Sequence, residues 1–213
     1  SSRLLPHLSD STNLIYLQPH PEGTMKKTLL SAIVVSLFSA STFAGDLDDR
    51  AAASRAAIKE FAASLQGELG AAIKAGGPVS AIEVCSTKAP AIAADISKKQ
   101  GWKVARTSLK LRNPKNAPDA WETKVLKEFE ARKAKGENPA QMEYSEMIMG
   151  QGKHEFRYMK AIAIPENAPC LTCHGDKIDA AVGAKLKTLY PQDRATGYKT
   201  GDIRGAFTIT QPM

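Results

Sequence analysis

The sequence predicts an α+β fold in which helices come first and a central antiparallel sheet follows. Apolar residues recur at helical spacing over residues 48–74. Residues 144–149 and 156–164 read as two strands around the turn 150–152, as in an antiparallel hairpin. The chain has no internal repeat and no low-complexity tract, so this order of elements fits one ordinary domain.

Glycine and proline define the N-terminal helices. The first helix ends at Gly76-Gly77, and Pro78 suits the first turn of the next helix. Pro90 interrupts this second helix because proline has no N–H to donate within a helix. We therefore expect a break or kink one turn after Cys85.

The remaining elements complete the sheet and flank it with helices. They are a strand at 102–111, a turn at 112–118, a helix that ends at Gly136, the hairpin, a loop at 165–174, a helix at 178–189 and a closing strand at 203–211. The loop contains the residues of greatest chemical interest, so we expect a loop-borne site. The order in which the strands pair does not follow from this pattern.

Residues 25–44 have the three parts of a secretory signal peptide, namely a short basic start, an apolar run and a small-x-Ala ending. The apolar run is shorter than the roughly 20 residues that span a bilayer, so we expect no membrane anchor after cleavage. We interpret residues 1–24 as an upstream segment that is non-native or disordered, and residues 45–213 as a single domain. The expected location is the periplasm.

The chain is basic, with 29 Lys and Arg residues against 22 Asp and Glu residues and a net charge of +7. The positive charges are scattered, which is typical of a solvated surface. For an exported protein we expect no nucleic-acid partner. An acidic partner protein is the functional interpretation of the same charge.

The segment CLTCHG holds two of the three cysteines in the chain, Cys170 and Cys173, followed at once by His174. A thioredoxin-type dithiol would begin a helix directly after a strand, whereas this segment follows an irregular loop. A zinc site needs four ligands, and only Cys85 or His154 could join from elsewhere. A c-type haem uses every part of the motif and requires export, so we favour one covalent haem c. Cys170 and Cys173 would be its thioether anchors and His174 its proximal ligand.

The pattern leaves the sixth ligand of that iron open. Cys85 is most simply a small apolar residue on a helix face, and its functional interpretation is the distal ligand. Its rivals for that role are Met142, Met147, Met149, Met159 and His154.

Four groups of motifs carry a family resemblance. They are GGP at 76–78 with EVCS at 83–86 and AP at 89–90; RTS at 106–108 with RNPKNAPD at 112–119; CLTCHG at 170–175; and YP at 190–191 with DRATGY at 193–198 and GDIRGA at 201–206. In this order, they resemble the Tll0287-like haem domain family over nearly all of residues 45–213.

The resemblance implies a PAS-like fold, with a central antiparallel sheet, N-terminal and flanking helices, and one c-type haem. It also implies that the iron is bound by the histidine of the CxxCH motif and by an upstream cysteine. In this sequence those residues are His174 and Cys85. A thiolate opposite an imidazole stabilises ferric iron and lowers the reduction potential.

The expected function is redox or small-ligand sensing, or electron transfer, together with a separate redox or signalling partner. The alternative is a haem enzyme with peroxidase or nitrogen-oxide chemistry, which would require Cys85 to leave the iron. No acid–base pair in the sequence supports such catalysis, and we assign no catalytic residue. Arg106 and Arg112 are the candidate partners of the haem propionates.

Overall fold

The computed structural model describes residues 30–150 and 152–213. Contacts divide the chain into two units, Ser1–Thr42 and Phe43–Met213. The interpreted upstream segment 1–24 and the first residues of the predicted signal peptide, 25–29, lie outside the described residues. In the part of the chain that is described, no helix is long and apolar enough to cross a membrane. The signal peptide and its cleavage stay predictions.

The described residues form helices and one four-stranded antiparallel sheet. They are α1 (Leu30–Glu83), a π-helical turn (Val84–Lys88), α2 (Ala89–Gln100), β1 (Lys103–Thr107), α3 (Ala120–Ala134), β2 (Glu143–Gly150), β3 (Lys153–Ala163), α4 (Cys170–His174), α5 (Ala180–Leu189) and β4 (Ile203–Pro212), with 3₁₀ turns at Pro114–Asn116 and Pro139–Gln141. The four strands pair antiparallel in the order β1-β4-β3-β2. The predicted α+β class with a central antiparallel sheet and flanking helices is confirmed.

Helices cover both faces of the sheet, because alternate residues of a strand point to opposite faces. On one face, α1 and α2 pack against the sheet through Ile58, Phe61, Ile96, Phe156, Tyr158 and Ile209. On the other face, α3 packs through Val125, Leu126, Phe129, Met159, Ala161 and Ala206. Two smaller clusters lie around α4 and α5, so these short helices are attached to the outside of the main core.

The predicted end of the first helix at Gly76-Gly77 is present as a break within α1. Both glycines have non-helical backbone angles, and Gly77 has a φ of 72°, a region that glycine enters without steric cost. The predicted break after Cys85 takes a different form. The backbone stays helical but widens into the π turn, in which the Ala89 N–H donates to the Val84 carbonyl.

Two other predicted boundaries differ from the structure. β1 ends at Thr107 rather than 111, because Ser108 Oγ accepts from the Lys110 N–H at 3.2 Å and donates to the Arg204 carbonyl at 2.8 Å. The predicted loop 165–174 contains the one-turn helix α4. The CxxCH motif therefore lies on a helical turn, and the side chains of α4 have a defined orientation.

Candidate functional site

A cavity of ≈ 410 Å³ lies between α1 and the sheet. This volume falls within the roughly 300 to 1,000 Å³ of small-molecule and cofactor sites. Much of its wall is apolar, including Leu65, Leu69, Ile73, Ile82, Ile162 and Phe207. All six residues that the sequence predicts to bind the cofactor also line it, namely Cys85, Arg106, Arg112, Cys170, Cys173 and His174. The fold thus brings these six residues together from three distant segments of the chain, around Cys85, at 106–112 and at 170–174.

The helix α4 is held in place by the segment 193–198. The Tyr198 N–H donates to the His174 carbonyl at 2.9 Å, and the Gly197 N–H donates to the Gly175 carbonyl at 2.8 Å. Gly175 is required where α4 ends, because a Cβ there would lie 2.6 Å from the Leu171 carbonyl oxygen. These contacts fix the direction in which the side chains of α4 point.

His174 is prepared to act as a ligand. Its Nδ1 lies 2.8 Å from the Ala195 carbonyl oxygen, which can only accept, so we assign the proton to Nδ1 and the lone pair to Nε2, which lies 3.5 Å from Arg112 Nη1. Burial, with the charges of Arg204 and Arg112, lowers the pKa of His174 to about 3. A neutral imidazole that donates its other N–H to a backbone carbonyl is the usual state of a metal-binding histidine.

The thiols of α4 lack the features of a redox-active dithiol. Burial raises the pKa of Cys170 and of Cys173, and the nearby Cys85 raises both further. A catalytic dithiol depends on a lowered thiol pKa, so the geometry disfavours that interpretation. A zinc interpretation has no more support, because no three His, Cys, Asp or Glu side chains cluster as metal ligands within 30–150 and 152–213.

Cys85 reaches the cavity from the π turn and is half-buried. The other five candidates for the second iron ligand lie elsewhere. Met142 and Met159 are fully buried between α3 and the sheet, and the Met149 side chain is exposed. None of the five rivals is among the described residues that line the cavity. Of the six candidates for a second ligand, Cys85 alone therefore shares the described cavity with His174.

The two predicted arginines differ in their contacts. Arg112 is buried, and its guanidinium donates to Asp193, to the Cys173 carbonyl at 2.6 Å and to the Ala195 carbonyl at 3.2 Å. It therefore links α4 to the segment 193–198. Arg106 packs over the Phe61 ring at 5.3 Å. Among the described residues, the Arg106 side chain has no hydrogen bond or ion pair to a protein group, so its charge is available to an anion in the cavity.

Three residues near the site belong to the motifs of the family resemblance but were not predicted as site residues. Arg204 lines the cavity, and its Nε lies 3.2 Å from His174 Nδ1. Tyr190 lines it as well, and burial, followed by the nearby Cys85, raises the pKa of this phenol. Asp193 pairs with Arg112 from outside the cavity. One sequence signal could have identified Arg204, because it is a charged residue within the otherwise apolar start of β4.

A family comparison agrees with this architecture. The Tll0287-like family, described as Tll0287, matches residues 28–212. The chain belongs to this family. The resemblance that the sequence motifs indicate is therefore confirmed.

This Tll0287-like chain is also similar to a solved structure, the crystal structure of the cyanobacterial heme-protein Tll0287. The TM-score is 0.59 and the identity is 24%, with 78% of this chain and 96% of that chain covered. At this identity the likeness supports the fold. No curated protein matches the chain.

Proposed function

We propose that this Tll0287-like protein is an exported c-type haem protein that acts in redox or small-ligand sensing or in electron transfer. Cys170 and Cys173 would attach one haem covalently, and His174 and Cys85 would bind its iron. The observation that carries the proposal is the neutral imidazole of His174, beside two half-buried thiols, in an apolar cavity that Cys85 also lines. The heme-protein Tll0287 shares the fold, which adds support.

The residues of the cavity fit this cofactor. The apolar wall suits the porphyrin ring, and the carbonyl-bound imidazole suits an axial ligand. Arg106 has a charge without a protein partner among the described residues, which suits a haem propionate. When bound, haem supplies one-electron redox chemistry or ligand binding at its iron, while the protein supplies the ligands, the apolar surroundings and the nearby charges.

A second candidate function, haem enzyme chemistry, is favoured by the π turn. Cys85 lies in this turn, and Pro90 cannot donate to the Ser86 carbonyl, so the helix around Cys85 has fewer regular hydrogen bonds. Such a segment can move more easily than a regular helix. If Cys85 can leave the iron, carbon monoxide added to the reduced protein will change its visible spectrum. An unchanged spectrum would favour electron transfer.

The covalent haem can be tested by mass. We expect the chain, expressed in a host that matures c-type cytochromes, to keep the mass of one haem after denaturation. A Cys170→Ala/Cys173→Ala variant should have the mass of the bare polypeptide, as the matched control. A bare wild-type chain would contradict the proposal. The measured mass also tests whether the signal peptide is cleaved after Ala44. Periplasmic fractionation tests export.

A further inference from the structure

Asp193 and Arg112 form a buried ion pair behind His174. The Arg112 Nη2 and Asp193 Oδ2 atoms are 2.9 Å apart, and the two side chains are 6% and 11% exposed. Arg112 lies in the segment after β1, and Asp193 lies in the segment after α5. The backbone joins the same two segments, because the Arg194 N–H donates to the Leu111 carbonyl at 2.7 Å. The pair therefore has a fixed position relative to α4.

The pair reaches His174 through the backbone of Ala195. Asp193 Oδ1 accepts from the Ala195 N–H at 2.8 Å, and Arg112 Nη2 donates to the Ala195 carbonyl at 3.2 Å. The same carbonyl receives the Nδ1 proton of His174 at 2.8 Å. Arg112 also holds the Cys173 carbonyl. Asp193 and Arg112 thus hold the backbone of Ala195 on both sides of its Cα, and the carbonyl of Ala195 orients the imidazole.

The pair also balances charge near the other nitrogen of the imidazole. Arg112 Nη1 lies 3.5 Å from His174 Nε2, the nitrogen that would bind iron. Three arginines line the described cavity, Arg106, Arg112 and Arg204, and none of its lining residues is acidic. A positive charge near iron favours the reduced state, since reduction removes one positive charge from the metal. Asp193 offsets part of this effect.

We propose that Asp193 is a positioning residue for His174, acting through Arg112 and the Ala195 carbonyl, and that its negative charge lowers the reduction potential of the haem. This proposal rests on the proposed function of the cavity. Asp193 touches neither the cofactor nor a substrate in this scheme. Its effect comes from the orientation that it gives to its neighbours and from its charge.

The test is redox titration of purified haem-containing protein, with the haem content of each variant measured by mass. In Asp193→Asn we expect the reduction equilibrium to shift about tenfold toward the reduced form, which corresponds to a rise of ~59 mV for one electron. Arg112→Gln should shift the equilibrium in the opposite direction. The double variant should return close to wild type, because both charges of the pair are gone.

Asp202→Asn is the matched control, since Asp202 pairs with Lys133 and does not line the cavity. We expect it to leave the potential unchanged. If Asp193→Asn does not accumulate, Arg112→Gln and the double variant make the same comparison, and the potential must rise from the first to the second. Equal potentials in that comparison, or in Asp193→Asn and Asp202→Asn, would overturn the proposal. A wild-type chain without attached haem would instead overturn the proposed function.

Discussion

Cys85 is the residue on which the second iron bond would depend. It lies on the wall of the cavity together with His174, whereas the methionines and His154 that compete with it lie elsewhere. The electrostatic effect of Cys85 reaches Cys170, Cys173 and Tyr190, whose pKa values are all raised by burial and by this thiol. These effects support proximity between Cys85 and α4.

We predict that the ferric protein has the electron paramagnetic resonance spectrum of a low-spin haem with a thiolate ligand, and that Cys85→Ala loses it. The reason is that alanine has no atom that can bind iron. Met147→Leu is the matched control, because Met147 does not line the described cavity, and its spectrum should equal that of wild type. An unchanged spectrum in Cys85→Ala would remove Cys85 from the proposed site.

At the scale of elements, α3 is attached to the sheet by a buried charge. Glu122 is 4% exposed and lies in the first turn of α3, where it completes a capping box with Asp119. Its Oε1 accepts from Arg157 of β3 at 3.2 Å and from Thr208 of β4 at 2.8 Å. Arg157 also covers the Trp121 ring, 4.3 Å from its centroid. One carboxylate therefore caps the helix and joins it to two strands.

Replacing Glu122 with alanine should destabilise the protein by about 3 kcal/mol, because it leaves a buried arginine with a single remaining carboxylate partner. The free energy of unfolding in urea measures this change. Glu60→Ala is the control, since Glu60 forms an exposed pair with Lys99 and such pairs contribute about 1 kcal/mol or less. If both variants lose a similar free energy of unfolding, burial of Glu122 does not increase its contribution to stability.

At the scale of the whole molecule, carboxylates join elements that are far apart in sequence. Glu143 of β2 accepts from Arg55 of α1 at 2.8 Å and from Lys160 of β3 at 2.9 Å. Partial burial by itself would raise the pKa of Glu143, but the hydrogen bonds from Lys160 and Arg55 outweigh it and lower the pKa below its usual range. Folding therefore favours the ionised form of Glu143.

This lowered pKa gives a direction to the acid response. A carboxylate with a depressed folded-state pKa stabilises the fold above its unfolded-state pKa, and this contribution is lost as the pH falls through the folded-state value. We predict that Glu143→Gln weakens the fall in unfolding free energy below about pH 4.5. Urea unfolding at a series of pH values measures this slope. Glu130→Gln, at an exposed position of α3, should keep the wild-type slope, and the same slope in both variants would contradict the prediction.

The sequence predicted those parts of the fold that depend on local spacing. The apolar stripe of the first helix, the hairpin around Gly152 and the break at Gly76-Gly77 all follow from neighbouring residues, and all are present. The strand order could not be predicted, because β4 pairs with β1 and β3 across long stretches of chain. The π turn was also missed, since Pro90 alone does not specify whether a helix breaks or widens.

The site shows the same division between local and distant information. The CxxCH motif predicts Cys170, Cys173 and His174 as site residues, because their chemistry lies in five consecutive residues. Arg204 and Asp193 act through contacts with residues far away in sequence, namely Arg204 with Ser108 and Asp193 with Arg112. No spacing rule links such pairs. Only the folded chain shows that Asp193 neutralises Arg112 and that Arg106 remains available to an anion.

The short helix α4 has a consequence for the order of biogenesis. Cys170, Cys173 and His174 occupy one turn, Cys170–His174, so under the proposed function a haem-attaching enzyme could act on this segment before the chain folds. Cys85 comes from far upstream and meets that turn only when the helical layer docks. Binding of Cys85 to the iron would therefore require the folded chain, whereas attachment of the haem would not. Binding of the Cys85 thiolate to the iron would change the visible absorption spectrum. This spectral change would then report folding of the chain as it occurs.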